Sequence, residues 1–364
     1  MIAELRSADK NGVGIGGFLA LENTFEHRIA DYLSERLGVG TVSVASAERI
    51  VGGGSRHTWK VQADWRANDG SPSGRTLIFR LDPEGSLLES NRHSEFEFYS
   101  AFWHSSDVPV PEPLFIEDDV EILGKPFCVM AAVAGIAEPA TIVFSTDYDQ
   151  GRAAIARQWM ELLGEIASVD YRAMGLHEHT EEPLPDTCWE AELEHWEQVL
   201  RDHYVGPYPV NEAAIRWLRR NPPPPAQRVS VVHGDYRVGN FLATPDRIEA
   251  IVDWEMAHLG DPHQDLAWAF ARNWRFARDP ELVGGLLSQP EAIEIWESSS
   301  DLTFDADAMH WWGILNHIKA NAIWITGAHS FATGRTRDPL YAIIEWRAAD
   351  MHDMWILKDM GVVP

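Results

Sequence analysis

Cysteine and basic residues are scarce in this sequence, and both shortages exclude classes of protein. Only Cys128 and Cys188 occur among the 364 residues, so neither a disulfide framework nor a cysteine-rich zinc site can be built. Lys and Arg together number 30 against 56 Asp and Glu, which gives a formal net charge of −26. That excess of negative charge repels nucleic-acid phosphates and acidic lipid surfaces. We therefore expect neither nucleic acid nor membrane as a partner, and a reducing, cytoplasmic location.

Long apolar runs are also missing. No segment approaches the 18 or more apolar residues of a membrane span, and Glu4, Asp9 and Lys10 stand where a signal peptide would have its apolar core. Residues 12–17 match the G-x-G-x-x-G pattern of dinucleotide-binding folds, but the polar residues before them cannot form the buried strand which that pattern requires. We expect a soluble protein whose first residues form a flexible arm.

The first 130 or so residues predict a small sheet that carries one helix. Apolar residues at helical spacing predict an earlier helix over 22–37, which ends at Gly38. Alternating and β-branched runs then predict strands, and a glycine turn at 52–55 joins the first two into a hairpin. The expected strands cover 41–45, 57–65, 76–81, 114–116 and 126–133, with a helix over about 90–103.

The pattern becomes helical after Gly135. Apolar stripes predict helices around 155–166, 189–204 and 311–325, and Pro222–Pro225 form an extended connector before a strand over 229–232. At roughly 150 residues per domain, the length suggests two parts. We expect an N-terminal lobe over 1–133 and a larger, mainly helical lobe over 134–364.

The segment from Val231 to Phe270 carries the chemistry. It contains Asp235, then Asn240, then Asp253 at the end of an apolar run. Turn residues at 244–247 predict a hairpin centred between Asp246 and Arg247, which would place Asn240 opposite Asp253. Carboxylate and amide oxygens are hard ligands that suit Mg²⁺ better than zinc. The spacing therefore predicts a magnesium-phosphate site.

The order His-x-Asp-x-x-x-x-Asn followed by a strand-end Asp resembles the catalytic segment of eukaryotic-type kinases. As His233-Gly-Asp235 and Val252-Asp-Trp-Glu255, it is similar to the aminoglycoside phosphotransferase and choline kinase superfamily. The continuation over 259–267 resembles most the kinase-like domains of acyl-CoA dehydrogenase 10/11-type proteins. The resemblance implies an α+β, bilobal, protein-kinase-like fold, with a small antiparallel sheet lobe and a mainly helical lobe.

The resemblance also implies roles for single residues. Asp235 would be the catalytic group that accepts the proton of the substrate hydroxyl, and Asn240 and Asp253 would hold Mg²⁺ on the phosphates. Asp265 would brace the backbone of the catalytic loop. His233 is expected to pack beneath that loop, and Asp261 to start a helix instead of binding metal.

The nucleotide would lie mainly against the first lobe. Gly53, Gly54 and Ser55 occupy the place of the phosphate loop, where backbone N–H groups can approach phosphates. Arg80 falls where the family carries a cation for the α- and β-phosphates, with Lys60 as its competitor, and Glu95 falls at the place of the ion-pair partner. The backbone around Met130 and Ala132 resembles the linker that binds adenine.

These expectations point to an ATP- and Mg²⁺-dependent phosphotransferase that acts on a hydroxyl of a small molecule, with GTP as an alternative donor. The short segment between Asp253 and Pro262 leaves no room for a peptide-binding activation loop. Aromatic and histidine residues of the last helices are candidates for the acceptor pocket: Trp311, Trp312, His317, Trp324 and His329. Two other hypotheses are an inactive nucleotide-binding module and a hydrolase whose metal is held by His and Asp side chains. The sequence leaves the acceptor and the oligomeric state open.

Overall fold

The first half of the chain forms a five-stranded antiparallel sheet with helices against it. The computed structural model describes residues 15–50, 56–67, 69–82, 91–276 and 281–364. The strands follow the order β1-β2-β3-β5-β4, and each neighbouring pair is antiparallel. The elements of this part are α1 (Ile15–Leu37), β1 (Ser43–Ile50), β2 (His57–Arg66), β3 (Pro72–Leu81), α2 (Arg92–Ser105), β4 (Pro113–Glu117), α3 (Val120–Leu123) and β5 (Phe127–Ala131).

The second part is mainly helical and carries only short strands. β6 pairs with β9, β7 with β8 and β10 with β11. Its elements are α4 (Pro139–Phe144), α5 (Arg152–Ser168), α6 (Cys188–His203), α7 (Pro209–Arg220), β6 (Ser230–Val232), β7 (Phe241–Ala243), β8 (Ile248–Ile251), β9 (His258–Gly260), α8 (His263–Ala269), β10 (Leu282–Val283), β11 (Leu287–Ser288), α9 (Gln289–Ser300), α10 (Ala306–Ala332) and α11 (Pro339–Asp359). Across the described ranges, every helix is too short or too polar to cross a membrane.

The sequence pattern accounts for most of these elements. In β2 the alternate residues Val61 and Ala63 are buried and their neighbours exposed, as expected for a strand with one face on a core. Asn91 caps α2 by accepting from the N–H groups of His93 and Ser94. The first lobe has its own apolar core against α1, whereas α2 packs into a second core that continues into α5 and Trp254. This second core joins the two parts.

Two local predictions were wrong by small amounts. The helix α1 begins at Ile15 and not at residue 22, so residues 15–17 of the expected arm are helical. The hairpin of β7 and β8 pairs Phe241 with Ile251, and an irregularity between Leu242 and Ala243 shifts the register by one residue. Asn240 therefore faces Val252, whose N–H donates to the Asn240 carbonyl at 3.0 Å. Asp253 lies one residue further, just beyond the strand.

Candidate active site

The loop that follows β6 is held from below by a buried carboxylate. The backbone N–H groups of His233 and Gly234 donate to Asp265 at 2.6 and 2.9 Å, so Asp265 braces the loop as expected. The ring of His233 is fully buried and lies 3.0 Å from the carbonyl of Val252. Burial lowers the pKa of His233, which favours the neutral ring. These contacts fix the backbone of the loop that carries Asp235.

Asp235 is fixed by three side chains and still reaches the solvent. Its carboxylate accepts from the indole N–H of Trp268 at 2.6 Å, from the amide of Asn240 at 2.6 Å and from Nε of Arg237 at 3.2 Å. Its side chain remains 18% exposed. A carboxylate that is oriented by several donors and still partly exposed is suited to receive a proton from a bound hydroxyl.

A buried lysine supports the same loop from α10. Lys319 is 1% exposed, and its ammonium donates to the carbonyl of Gly234. The ammonium also lies over the rings of Trp268 and Trp196, at 4.6 and 5.4 Å from their centroids. Burial lowers the pKa of Lys319, although nearby carboxylates oppose that shift. No local signal in the sequence indicates this role, because Lys319 stands next to an apolar stripe of α10.

Asp253 lies against a cation from the first lobe. Its carboxylate accepts from the guanidinium of Arg80 at 2.9 Å, and Arg80 forms an ion pair with Glu95 at 2.8 Å. Burial opposes the charge on Asp253, but Arg80 and then Arg237 outweigh it and hold the pKa of the carboxyl below its usual value. Glu95 also pairs with Arg56 at 2.9 Å, a contact that the sequence analysis did not predict.

A cleft of about 880 Å³ lies between the two lobes and brings several predicted residues together. Lys60 shares this lining with Arg80. The N–H of Ala132 donates to the carbonyl of Thr76 at 3.0 Å, so this donor is already used within the sheet. Gly53, Gly54 and Ser55 lie outside the described residues. The predicted site residues in the lining are Arg80, Met130, Ala132, Asn240 and Asp253.

The donor set fits a hard cation and not a histidine-bound metal. Asn240 and Asp253 both line the cleft, and their side chains carry an amide oxygen and carboxylate oxygens, the ligands that a hard cation prefers. Among the residues that the structure describes, no cluster of three or more His, Cys, Asp or Glu side chains could hold a metal. His258 pairs instead with Glu192 at 2.9 Å, which raises the pKa of His258 to about 9 against the effect of burial. These contacts give the hydrolase hypothesis no support.

The carboxylate of Asp261 is engaged in structural hydrogen bonds. It accepts from the N–H of His263 at 2.9 Å ahead of α8, and from the indole N–H of Trp312 at 2.9 Å.

The residues of α10 that were candidates for the acceptor pocket also make structural contacts. Trp311 and Trp312 are buried in the core, and His317 lies 3.1 Å from His352 between α10 and α11. The cleft is not lined by any of the five proposed pocket residues of α10.

The fold and this cleft define a kinase-like phosphotransferase. An antiparallel sheet lobe, a helical part and a cleft between them form the arrangement. The chain belongs to the phosphotransferase enzyme family, abbreviated APH, whose sequence profile matches residues 46–302.

Solved structures share this fold at low sequence identity. A candidate aminoglycoside phosphotransferase from Ralstonia eutropha shares 20% identity, with a TM-score of 0.69 over 92% of this chain and 98% of that one. A thermostable mutant of aminoglycoside phosphotransferase APH(4)-Ia, in ternary complex with AMP-PNP and hygromycin B, shares 16% identity. Its TM-score is 0.58 over 91% of this chain and 98% of that one.

Curated relatives with similar sequence are larger proteins. Mouse acyl-CoA dehydrogenase family member 10 is 32% identical over 200 residues, which cover 54% of this chain and 18% of the relative. Chicken acyl-CoA dehydrogenase family member 11 is 29% identical over 200 residues, which cover 54% of this chain and 25% of the relative. The match thus spans a quarter or less of the length of these two relatives.

Proposed function

We propose that this protein transfers the γ-phosphate of ATP to a hydroxyl group of a small molecule and uses Mg²⁺ to do so. The observation that carries the proposal is the carboxylate of Asp235, which Trp268 and Asn240 orient while its side chain stays 18% exposed, next to the cleft residue Asn240. Family membership supports the reaction type. The complexes of structural neighbours with AMP-PNP, ADP and GDP support nucleotide use, and they leave GTP as an alternative donor.

Asp235 would act on the acceptor. One of its carboxylate oxygens would accept a further hydrogen bond from the substrate hydroxyl and direct the hydroxyl oxygen toward the phosphate, and the proton would pass to the carboxylate as the bond to phosphorus forms. The amide of Asn240 and the indole of Trp268 keep the carboxylate from rotating away. Because little proton transfer is needed early in a loose transition state, orientation contributes more than basicity.

Asn240 and Asp253 would hold the Mg²⁺ ion through their side-chain oxygens. The bound ion would neutralise charge on the phosphates and stabilise the charge that develops during transfer. Arg80 would contact the phosphates as a bidentate donor, and Glu95 would hold it in place.

The remaining contacts to the nucleotide would come from the first lobe. We propose that Gly53, Gly54 and Ser55 approach the phosphates and that the backbone near Met130 and Ala132 meets the adenine. The cleft would divide the chain into a nucleotide lobe over 1–133 and a catalytic lobe over 134–364.

The acceptor proposed here is a small metabolite and not a peptide or an antibiotic. Only eight residues separate Asp253 from Pro262, and they form a short turn and β9, so a peptide has no activation loop to bind. The inactive-module hypothesis is less favoured because Asp235, Asn240 and Asp253 are all present. A cytoplasmic location accords with this class of substrate.

A metabolite screen tests the proposal. The protein is incubated with isotopically labelled ATP, Mg²⁺ and a small-molecule extract, and mass spectrometry searches for labelled phosphate esters. We expect a phosphomonoester of a hydroxylated compound that disappears when a chelator removes Mg²⁺. Release of inorganic phosphate alone, or label on protein alone, would contradict the proposal.

A further inference from the structure

We propose that the hydroxyl of Tyr99 is the positioning group that keeps Asp253 in the backbone conformation needed to bind the metal. The inference rests on the proposed function, and it adds a residue which the motif at the catalytic loop does not contain. Tyr99 stands on α2, far from Asp253 along the chain, and only the fold brings the two together.

The contact between them is direct and partly buried. The hydroxyl oxygen of Tyr99 accepts from the backbone N–H of Asp253 at 2.8 Å, and the Tyr99 side chain is 1% exposed. The same hydroxyl lies 3.4 Å from Nη1 of Arg80, the cation that pairs with the Asp253 carboxylate. One oxygen atom thus contacts both the backbone of the predicted metal ligand and its ion-pair partner.

The backbone of Asp253 needs such support. Its φ of 72° and ψ of 51° place it in the left-handed region, which is uncommon for residues other than glycine. A residue keeps a conformation of this kind only where surrounding contacts fix it. Because the strand β8 has already ended at Ile251, no ladder hydrogen bond within the sheet holds the Asp253 N–H.

The residue after Asp253 is held by a different kind of contact. The indole ring of Trp254 is fully buried, and it packs against Phe102 at 4.4 Å and against Phe98 at 6.4 Å between centroids. These apolar contacts do not involve a hydroxyl group. Replacing Tyr99 by Phe should therefore keep the packing of this segment and remove only the hydrogen bond to Asp253.

Helix α2 would then control two functional groups from one face. Glu95 and Tyr99 are four residues apart, so they lie on the same side of the helix, one turn from each other. Glu95 holds Arg80 and Tyr99 holds Asp253. Without the hydroxyl, the partly buried N–H of Asp253 would lose this partner, and relaxation of the backbone would move the carboxylate away from the metal.

The test compares Tyr99→Phe with Tyr148→Phe. Tyr148 is also buried, and its hydroxyl donates to the Ala243 carbonyl at 2.9 Å, so the control removes one buried hydrogen bond at a residue that is not part of the cleft lining. Calorimetry measures the affinity for AMP-PNP with Mg²⁺ and with a chelator. We expect Tyr99→Phe to bind Mg²⁺ and AMP-PNP about tenfold more weakly. Its metal-free affinity and its melting temperature should match those of Tyr148→Phe.

A third variant, Asp253→Ala, separates the possible failures. If Asp253→Ala loses the Mg²⁺-dependent affinity while Tyr99→Phe binds like Tyr148→Phe, the role of Tyr99 is wrong and the proposed function stands. If Asp253→Ala itself binds like the wild type, Asp253 is not a metal ligand, and both proposals are overturned. A weaker metal-free affinity of Tyr99→Phe would also contradict the inference, because it would indicate general damage to the cleft.

Discussion

The conformation of the catalytic loop requires a residue without a Cβ atom at Gly234. Its φ is 84°, and a Cβ placed on it would lie 2.3 Å from the carbonyl oxygen of Met256. The close approach lets Asp265 receive both N–H groups of the turn while Asp235 follows immediately. A side chain here would push the turn away from Asp265.

We expect Gly234→Ala to destabilise the protein much more than Gly70→Ala. Gly70 has a nearly identical φ of 81° with no atom within 4 Å of its Cβ position, so Gly70→Ala should cost only about 1 kcal/mol of backbone strain. Gly234→Ala adds a clash with backbone, which should cost about 2 kcal/mol more. Urea unfolding of both variants measures the difference. Equal losses would show that the loop can shift without cost.

At this scale the sequence revealed residues that belong to a local pattern and missed those that meet through the fold. Asp235, Asn240 and Asp253 could be found because their spacing along one segment is characteristic. Trp268, Lys319 and Tyr99 contact the same segment from α8, α10 and α2. Each stands on a helix where its pattern indicates only core packing, so no local signal distinguishes it.

At the scale of single elements, α2 contributes Tyr99 to the cleft lining and holds Arg80 through Glu95. Its apolar face packs against Trp254, and its one fully enclosed carboxylate, Glu95, lies between the guanidinium groups of Arg56 and Arg80. The side chain of Glu95 is 1% exposed, so water contributes little to the balance of these charges.

Removing that carboxylate should leave two buried cations without a shared partner. We expect Glu95→Ala to lower the free energy of unfolding by about 3–5 kcal/mol. Glu97→Ala on the same helix is the control, because Glu97 is 41% exposed and its contact to His179 at 3.8 Å should contribute less than about 1 kcal/mol. Denaturant titration distinguishes the two. A similar, small loss in both variants would mean that Asp82 and Asp253, which already pair with Arg56 and Arg80, compensate for the lost carboxylate.

The order of the five strands and of α1 and α2 in the first lobe could be predicted because each has a clear period and a turn on either side, whereas the single turn of α3 is too short to show a period. The register of β7 and β8 could not, since the irregularity at Leu242 and Ala243 depends on how the hairpin packs and not on its turn residues. The left-handed backbone at Asp253 compensates for the shift, because it turns the chain after the strand and brings the carboxylate to Arg80.

For the whole molecule, the site exists only where the two lobes meet. Arg80 and Glu95 come from the first lobe, and Asp235, Asn240 and Asp253 come from the second. The net charge of −26 says little about this cleft, where Arg56, Arg80 and Arg237 are among the lining residues. The bilobal fold predicted from the motif is confirmed by the sheet, the helical part and the solved structures of the same fold. The acceptor could not be predicted, because its pocket would depend on contacts between distant helices.

The central claim is that Asp235 acts on the acceptor hydroxyl, and the rate of a single turnover tests it most directly. With the acceptor found by the metabolite screen and saturating ATP and Mg²⁺, Asp235→Ala should transfer phosphate roughly 10²- to 10⁴-fold more slowly than the wild type. Its nucleotide affinity should be unchanged, and Asp246→Ala, in the exposed turn between β7 and β8, should behave as the wild type. A rate for Asp235→Ala close to that of Asp246→Ala would contradict the account.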